Sequence, residues 1–265
     1  IENGCIVSKD ADITVAFSLE LPELFTETSP EYAAMHAAWH KAVKVLPVYS
    51  ILHKQDWFIR ESYRPELEKD DLSFLDRSYE RHFNERPFLH HSVYLCLTKT
   101  TKQRMAQRSD FSTLCRGTLL PKEVRDREAV LKFLEAVDQF ERIINDSGCM
   151  RLRRLSADEI AGTNDKRGLL DRYLSLRDDA AGTLEDLRLG SDEVRIGDQI
   201  LCLHTLSDTD DLPAAVATDG RYERLSTDRS DCRLSFAAPV GLMLPCNHIY
   251  NQYLFIDDSE ENLKR

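Results

Sequence analysis

Cys5-Ile-Val-Ser-Lys-Asp-Ala-Asp-Ile-Thr-Val-Ala-Phe-Ser-Leu-Glu-Leu21 decides the fold class. Two β-branched runs flank a polar turn, and the second alternates apolar and polar residues. Period two is the spacing that sends successive side chains to opposite faces of a sheet, so the chain opens with a β-hairpin.

Helix signals follow at once. Ser29-Pro30-Glu31 combines a capping hydroxyl, a first-turn proline and an acid, and helix-favouring residues continue through 32–46 until Pro47 stops them. Residues 48–60 read as a strand. Residues 71–85, with Leu72, Leu75, Tyr79 and Phe83 near helical spacing, read as a helix, and residues 88–98 as a strand. Residues 101–118 are polar and irregular, as in a loop. In 126–146, Val130, Phe133, Leu134, Val137, Phe140, Ile143 and Ile144 form one apolar helical stripe, with Gly148 as its stop.

Residues 150–155 read as a strand. Ser156-Ala-Asp-Glu159 is a capping box opening a helical stretch interrupted near Gly162 and Gly168. Residues 178–190 read as loop, 193–196 and 199–206 as a hairpin about Gly197-Asp198, and 208–231 as a long acidic connection. Two apolar runs in 232–256 are broken by Pro245 and end in Tyr253-Leu-Phe-Ile256 before two aspartates. Strands interspersed with helices give an α+β class: mixed or mainly antiparallel sheets packed with several helices. Gly148 is a candidate seam between lobes 1–148 and 149–265.

The formal charge of -11 opposes contact with a phosphate backbone, because nonspecific nucleic-acid affinity comes from Lys and Arg displacing counterions. Arg151, Arg153 and Arg154 form the densest basic cluster and are too few to reverse that balance, so no direct nucleic-acid partner is expected. Seven cysteines, at 5, 96, 115, 149, 202, 232 and 246, lack a short-spaced framework and read as reduced thiols of a cytosolic protein. The longest apolar stretch, 236–244, is broken by Pro239 and Gly241 and is about half of a bilayer span. Ile1 at one end and Glu261-Asn-Leu-Lys-Arg265 at the other read as cut points.

Chemical motifs are sparse. A Walker-type phosphate loop needs a Lys directly after its last Gly, and none of the ten glycines has one. Gly162-Thr-Asn-Asp-Lys-Arg-Gly168 has the wrong spacing and reads as a helix interruption. Asp257 and Asp258 end an apolar strand, the shape that holds a magnesium-bound water in nucleotide hydrolases, but no glycine loop accompanies them. Cys202-Leu-His204 and Cys246-Asn-His248 are the candidate metal ligands, with Cys232 as a further candidate, since residues i and i+2 of a strand share a face. The plainer reading is buried cysteines beside ordinarily hydrogen-bonded histidines. His36 and His40 have metalloprotease spacing, but Ala37 stands where the general-base Glu belongs. His90-His91 and the scattered carboxylates take no assignable acid or base role. No catalytic residue is named.

Four segments carry a resemblance: Glu2-Asn-Gly-Cys-Ile-Val-Ser-Lys-Asp-Ala-Asp-Ile-Thr-Val-Ala-Phe17, Phe83-Asn-Glu-Arg-Pro-Phe88, Leu134-Glu-Ala-Val-Asp-Gln-Phe-Glu-Arg-Ile-Ile-Asn145 and Leu225-Ser-Thr-Asp-Arg-Ser-Asp-Cys-Arg-Leu-Ser-Phe236. Together they resemble, end to end, the amino-terminal region of the TraG-type ATPases of conjugative transposons, relatives of the VirB-type ATPases of type IV secretion systems. The resemblance implies that residues 1–265 are a non-catalytic domain preceding a RecA-like motor. ATP and magnesium would belong to that motor, with no cofactor expected here. It also implies a cytoplasmic position peripheral to the inner membrane, self-association through the full-length protein, and docking to other secretion components. No catalytic or binding residue of the family carries over to a position here.

Overall fold

The computed structural model describes residues 1, 4–8, 12–22, 28–62, 73–84, 88–100, 127–176, 186–197, 199–205 and 246–258. The loop expected at 101–118, the acidic connection at 208–231 and Cys232 lie outside them. The fold is α+β, with antiparallel sheets as expected.

The opening hairpin forms as read: β1 (Cys5–Val7) pairs antiparallel with β2 (Ile13–Glu20). Next come α1 (Ser29–Val43), β3 (Ser50–Glu61), α2 (Phe74–Asn84) and β4 (Phe88–Lys99). The α1 cap sits one residue earlier than expected. Thr28 is extended, and its backbone N–H and hydroxyl both donate to the Glu31 carboxylate, at 2.7 and 2.6 Å. Ser29 is already helical because an acid three residues after the cap closes the box from Thr28. At α2 the exchange is reciprocal: the Ser73 backbone N–H donates to the Asp76 carboxylate, and the Asp76 backbone N–H donates to the Ser73 hydroxyl.

Helix α3 (Arg127–Asp146) carries the expected stripe, burying Phe133, Val137, Phe140 and Ile144, and Gly148 follows at φ +69°. The remaining elements are β5 (Arg151–Arg154), α4 (Ala157–Ala161), α5 (Leu169–Ser175), β6 (Leu187–Leu189), β7 (Val194–Ile196), β8 (Gln199–Leu201) and β9 (His248–Ile256). Part of the segment read as loop is therefore strand: β6 joins the expected β7–β8 hairpin in a three-stranded sheet.

The main sheet has six antiparallel strands in the order β1-β2-β4-β3-β9, with β5 also on β2. β1 pairs with Ile13–Val15 and β5 with Phe17–Glu20, so the two short strands lie in line along one edge of β2. β5 and β9 follow Gly148 in sequence yet belong to the sheet built by β1–β4. Gly148 stops α3, and the main sheet draws strands from both sides of it.

Opposed residues of an antiparallel pair share a face, and the register sorts the sheet accordingly. Val15, Phe17 and Leu19 of β2, Val93, Leu95 and Leu97 of β4, and Leu52 of β3 look toward α1 and α3. Trp39 of α1 meets Phe140 of α3 edge to face at 6.0 Å. The opposite face carries Ala16, Cys96, Trp57 and Ile59, covered by Leu155, Ile160 and Leu169 from the α4–α5 region.

Phe140 is wholly buried, whereas Leu131 on the same helix is 51% exposed. Phe140→Ala should cost about 3–5 kcal/mol of unfolding free energy in urea titrations, and Leu131→Ala less than about 0.5 kcal/mol.

Candidate functional site

Polar side chains interrupt both faces of the sheet. On the helix-covered face, Lys54 and Asp56 follow Leu52 at period two and are 0% exposed. The Lys54 ammonium pairs with Asp56 Oδ2, and His91 Nε2 donates to Asp56 Oδ1 at 2.9 Å. Burial holds the Lys54 ammonium below its ordinary pKa, and the Asp56 carboxylate offsets part of that. Phe58, the next residue on this face, stacks between His91 and His248, at 4.6 and 4.7 Å, as its register with both strands requires. The arrangement fixes the orientation of His91.

The opposite face holds a hydrogen-bonded ladder. Trp57 Nε1 donates to Gln55 Oε1 at 3.0 Å, the Gln55 amide donates to His53 Nδ1 at 3.4 Å, and His53 Nε2 donates to Asn251 Oδ1 at 2.7 Å. Asn251 also accepts from the Tyr173 hydroxyl at 3.4 Å. This direction of donation needs the neutral imidazole, and burial pushes His53 below its ordinary pKa with Asn251 acting in the opposite sense. Cys96, buried on the same face, has its thiol pushed up to about 11 by desolvation, which makes it an inert thiol rather than a nucleophile.

Beside the ladder, a cleft of ≈ 190 Å³ opens between the sheet and the α4–α5 region. Arg153, Lys166, Arg167 and Arg172 line it, together with Asp158 and Glu159. Arg153 grips Glu159 with two hydrogen bonds, at 3.0 and 2.8 Å, and this pairing, with the Ser156 backbone N–H, lowers the Glu159 carboxyl to about 2. The Arg172 guanidinium lies 5.2 Å from the centroid of Trp57 and 5.9 Å from that of Tyr94, and donates to the Tyr94 hydroxyl at 3.1 Å.

Gly162-Thr-Asn-Asp-Lys-Arg-Gly168 is, as expected, a helix interruption. It folds back on itself through a Gly162–Arg167 bridge, between α4 and α5. A Cβ on Gly168 would lie 2.2 Å from the Gly162 nitrogen, so the closure needs both glycines.

The candidate metal ligands flank strands of two different sheets. Cys202 and His204 follow β8, while Cys246 precedes β9 and His248 begins it. All three residues other than His248 are exposed, in contrast to the buried cysteines expected. His248 is held by its Phe58 stack and by a 2.6 Å hydrogen bond between Nδ1 and the Cys246 carbonyl. Among the described residues, no three His, Cys, Asp or Glu side chains gather as a metal site. His36 and His40 are exposed on α1, and Asp257 and Asp258 follow β9 as the sequence suggests.

The surface has its own feature. Phe74, Leu75 and Tyr79 of α2 are 82%, 75% and 66% exposed. β9 adds Tyr253, Leu254 and Phe255, each about half exposed. Among the described residues, no helix is long and apolar enough to cross a membrane.

Residues 1–37, from the opening hairpin into α1, match a family model described as "Domain of unknown function, B. Theta Gene description (DUF3875)". No curated protein matches the chain.

The ladder sets a pH dependence. Because His53 binds its proton less readily folded than unfolded, the unfolded chain takes up more protons below the ordinary histidine value, and stability falls as pH drops from about 6.5 toward the folded value. Urea midpoints measured between pH 8 and pH 5 should decline in the parent, and His53→Gln should flatten that decline.

Proposed function

We propose that this chain is a non-catalytic assembly and docking domain of a conjugative-transfer ATPase, working on the cytoplasmic side of the inner membrane. The family assignment rests on the four resembling segments. The docking role rests on α2, whose Phe74 and Leu75 are largely exposed to solvent.

An amphipathic helix normally lays its apolar stripe on its own core, as α3 does. Exposed apolar residues gathered on one short helix instead mark a protein-binding surface, and helix-in-groove recognition uses this i, i+4 spacing. α2 also lies in the connection between the two longest strands of the sheet, β3 and β4. The partners are other transfer components and further copies of the parent ATPase.

Two measurements test the reading. The purified chain should turn over no ATP in the presence of magnesium, and Asp257→Asn should change nothing; turnover abolished by that substitution would make the chain an enzyme. In the parent ATPase, Phe74→Glu with Leu75→Glu should lower transfer of the element at least about tenfold while ATP hydrolysis persists, since losing two apolar anchors costs more than the ~1.4 kcal/mol that a factor of ten represents. Unchanged transfer would remove α2 as the docking surface.

A further inference from the structure

The cleft between the sheet and the α4–α5 region concentrates positive charge in a chain of net charge -11. Its four cations face two carboxylates, and one of those, Glu159, is already neutralised by Arg153. Among the described residues that line the cleft, Asp158 is the other carboxylate.

Three observations turn this excess into a site. Arg167 Nε is shielded from solvent and has no hydrogen-bond partner among the described residues. A buried guanidinium N–H normally finds an acceptor, because it loses water without replacement otherwise. Lys166 and Arg167 are presented by the closed Gly162–Gly168 loop, pinned by the Thr163 N–H donating to the Lys166 carbonyl at 2.8 Å. Arg172 is held by Trp57 and Tyr94 on the other wall. Arg172 on its aromatic platform is preorganised for a ligand, and the closed loop fixes the backbone from which the exposed Lys166 side chain extends.

We propose that this cleft binds a compact phosphate-type oxyanion, with Lys166, Arg167 and Arg172 as its cationic donors and the Thr163 and Ser18 side chains at its rim. Guanidinium groups favour this chemistry because their planar N–H pairs match the oxygens of a phosphoryl group. A volume of ≈ 190 Å³ falls below the ~300–1,000 Å³ typical of sites for larger ligands, so one or two phosphoryl groups fit inside and anything attached to them stays outside. The site is independent of the docking surface on α2.

Isothermal titration of the purified chain with inorganic phosphate and with pyrophosphate, at constant ionic strength in chloride buffer, tests the proposal. The expected result is saturable binding, weakened about tenfold or more by Arg167→Gln and by Lys166→Gln, and unchanged by Lys132→Gln on the exposed side of α3. Matching urea midpoints for the variants would show that the fold is intact, and Arg172→Lys, which keeps the charge but loses the planar fork, should weaken pyrophosphate binding as well. Absence of binding at millimolar pyrophosphate, or binding indifferent to Arg167→Gln, would overturn the site. A single-stranded oligonucleotide that binds through Arg167 where phosphate and pyrophosphate do not would overturn it in favour of a nucleic-acid contact.

Discussion

Leu95 of β4 lies opposite Phe17 on one side and Lys54 on the other, and the rest of the fold depends on that register. Side chains alternate along a strand, so a slip of one residue would carry Val93, Leu95 and Leu97 away from α1 and α3 and put Tyr94 and Cys96 in their place. Apolar burial under the two helices holds the register, since Phe133, Val137 and Phe140 join the odd-numbered residues of β2 and β4 in one buried cluster. With those strands set, β3 and β9 follow in turn.

The same register carries Lys54 and Asp56 into the helix-covered face. Removing two charges from water is expensive, and mutual attraction repays it only when further hydrogen bonds complete the shell. Asp56 obtains part of that completion from His91, one strand away, and the Phe58 stack holds His91 in position. The pair is therefore weak evidence for stability, and through His91 it ties β3 to β4.

On the other face, the α4–α5 region is small and is stabilised by what it covers. Ile160 and Leu169 bury against the sheet while Arg172 spreads over Trp57 and Tyr94. The returning loop between Gly162 and Gly168 can close because neither residue has a Cβ, and its closure brings Lys166 and Arg167 beside a sheet that already offers Arg153.

Local spacing was sufficient for the α3 stripe, the opening hairpin, the Gly148 stop and the Ser156 cap, because each rests on contacts within a few residues that helix and strand geometry repeat. The α1 cap slipped by one position only because Thr28 and Ser29 both offer a hydroxyl, and the Glu31 carboxylate chooses between them. Lys54 and Asp56 could have been noticed as charges in phase with Leu52 and Phe58. The placement of β5 in line with β1, the joining of β9 to β3 and the gathering of the cleft cations had no such signal. His53 reaches Asn251 across 198 positions, and which strand edges and loop returns meet at that range is settled by the edges left open and the surfaces left uncovered once the local pieces have formed. Periodicity determines what each segment is; burial and pairing across the whole chain determine what it touches.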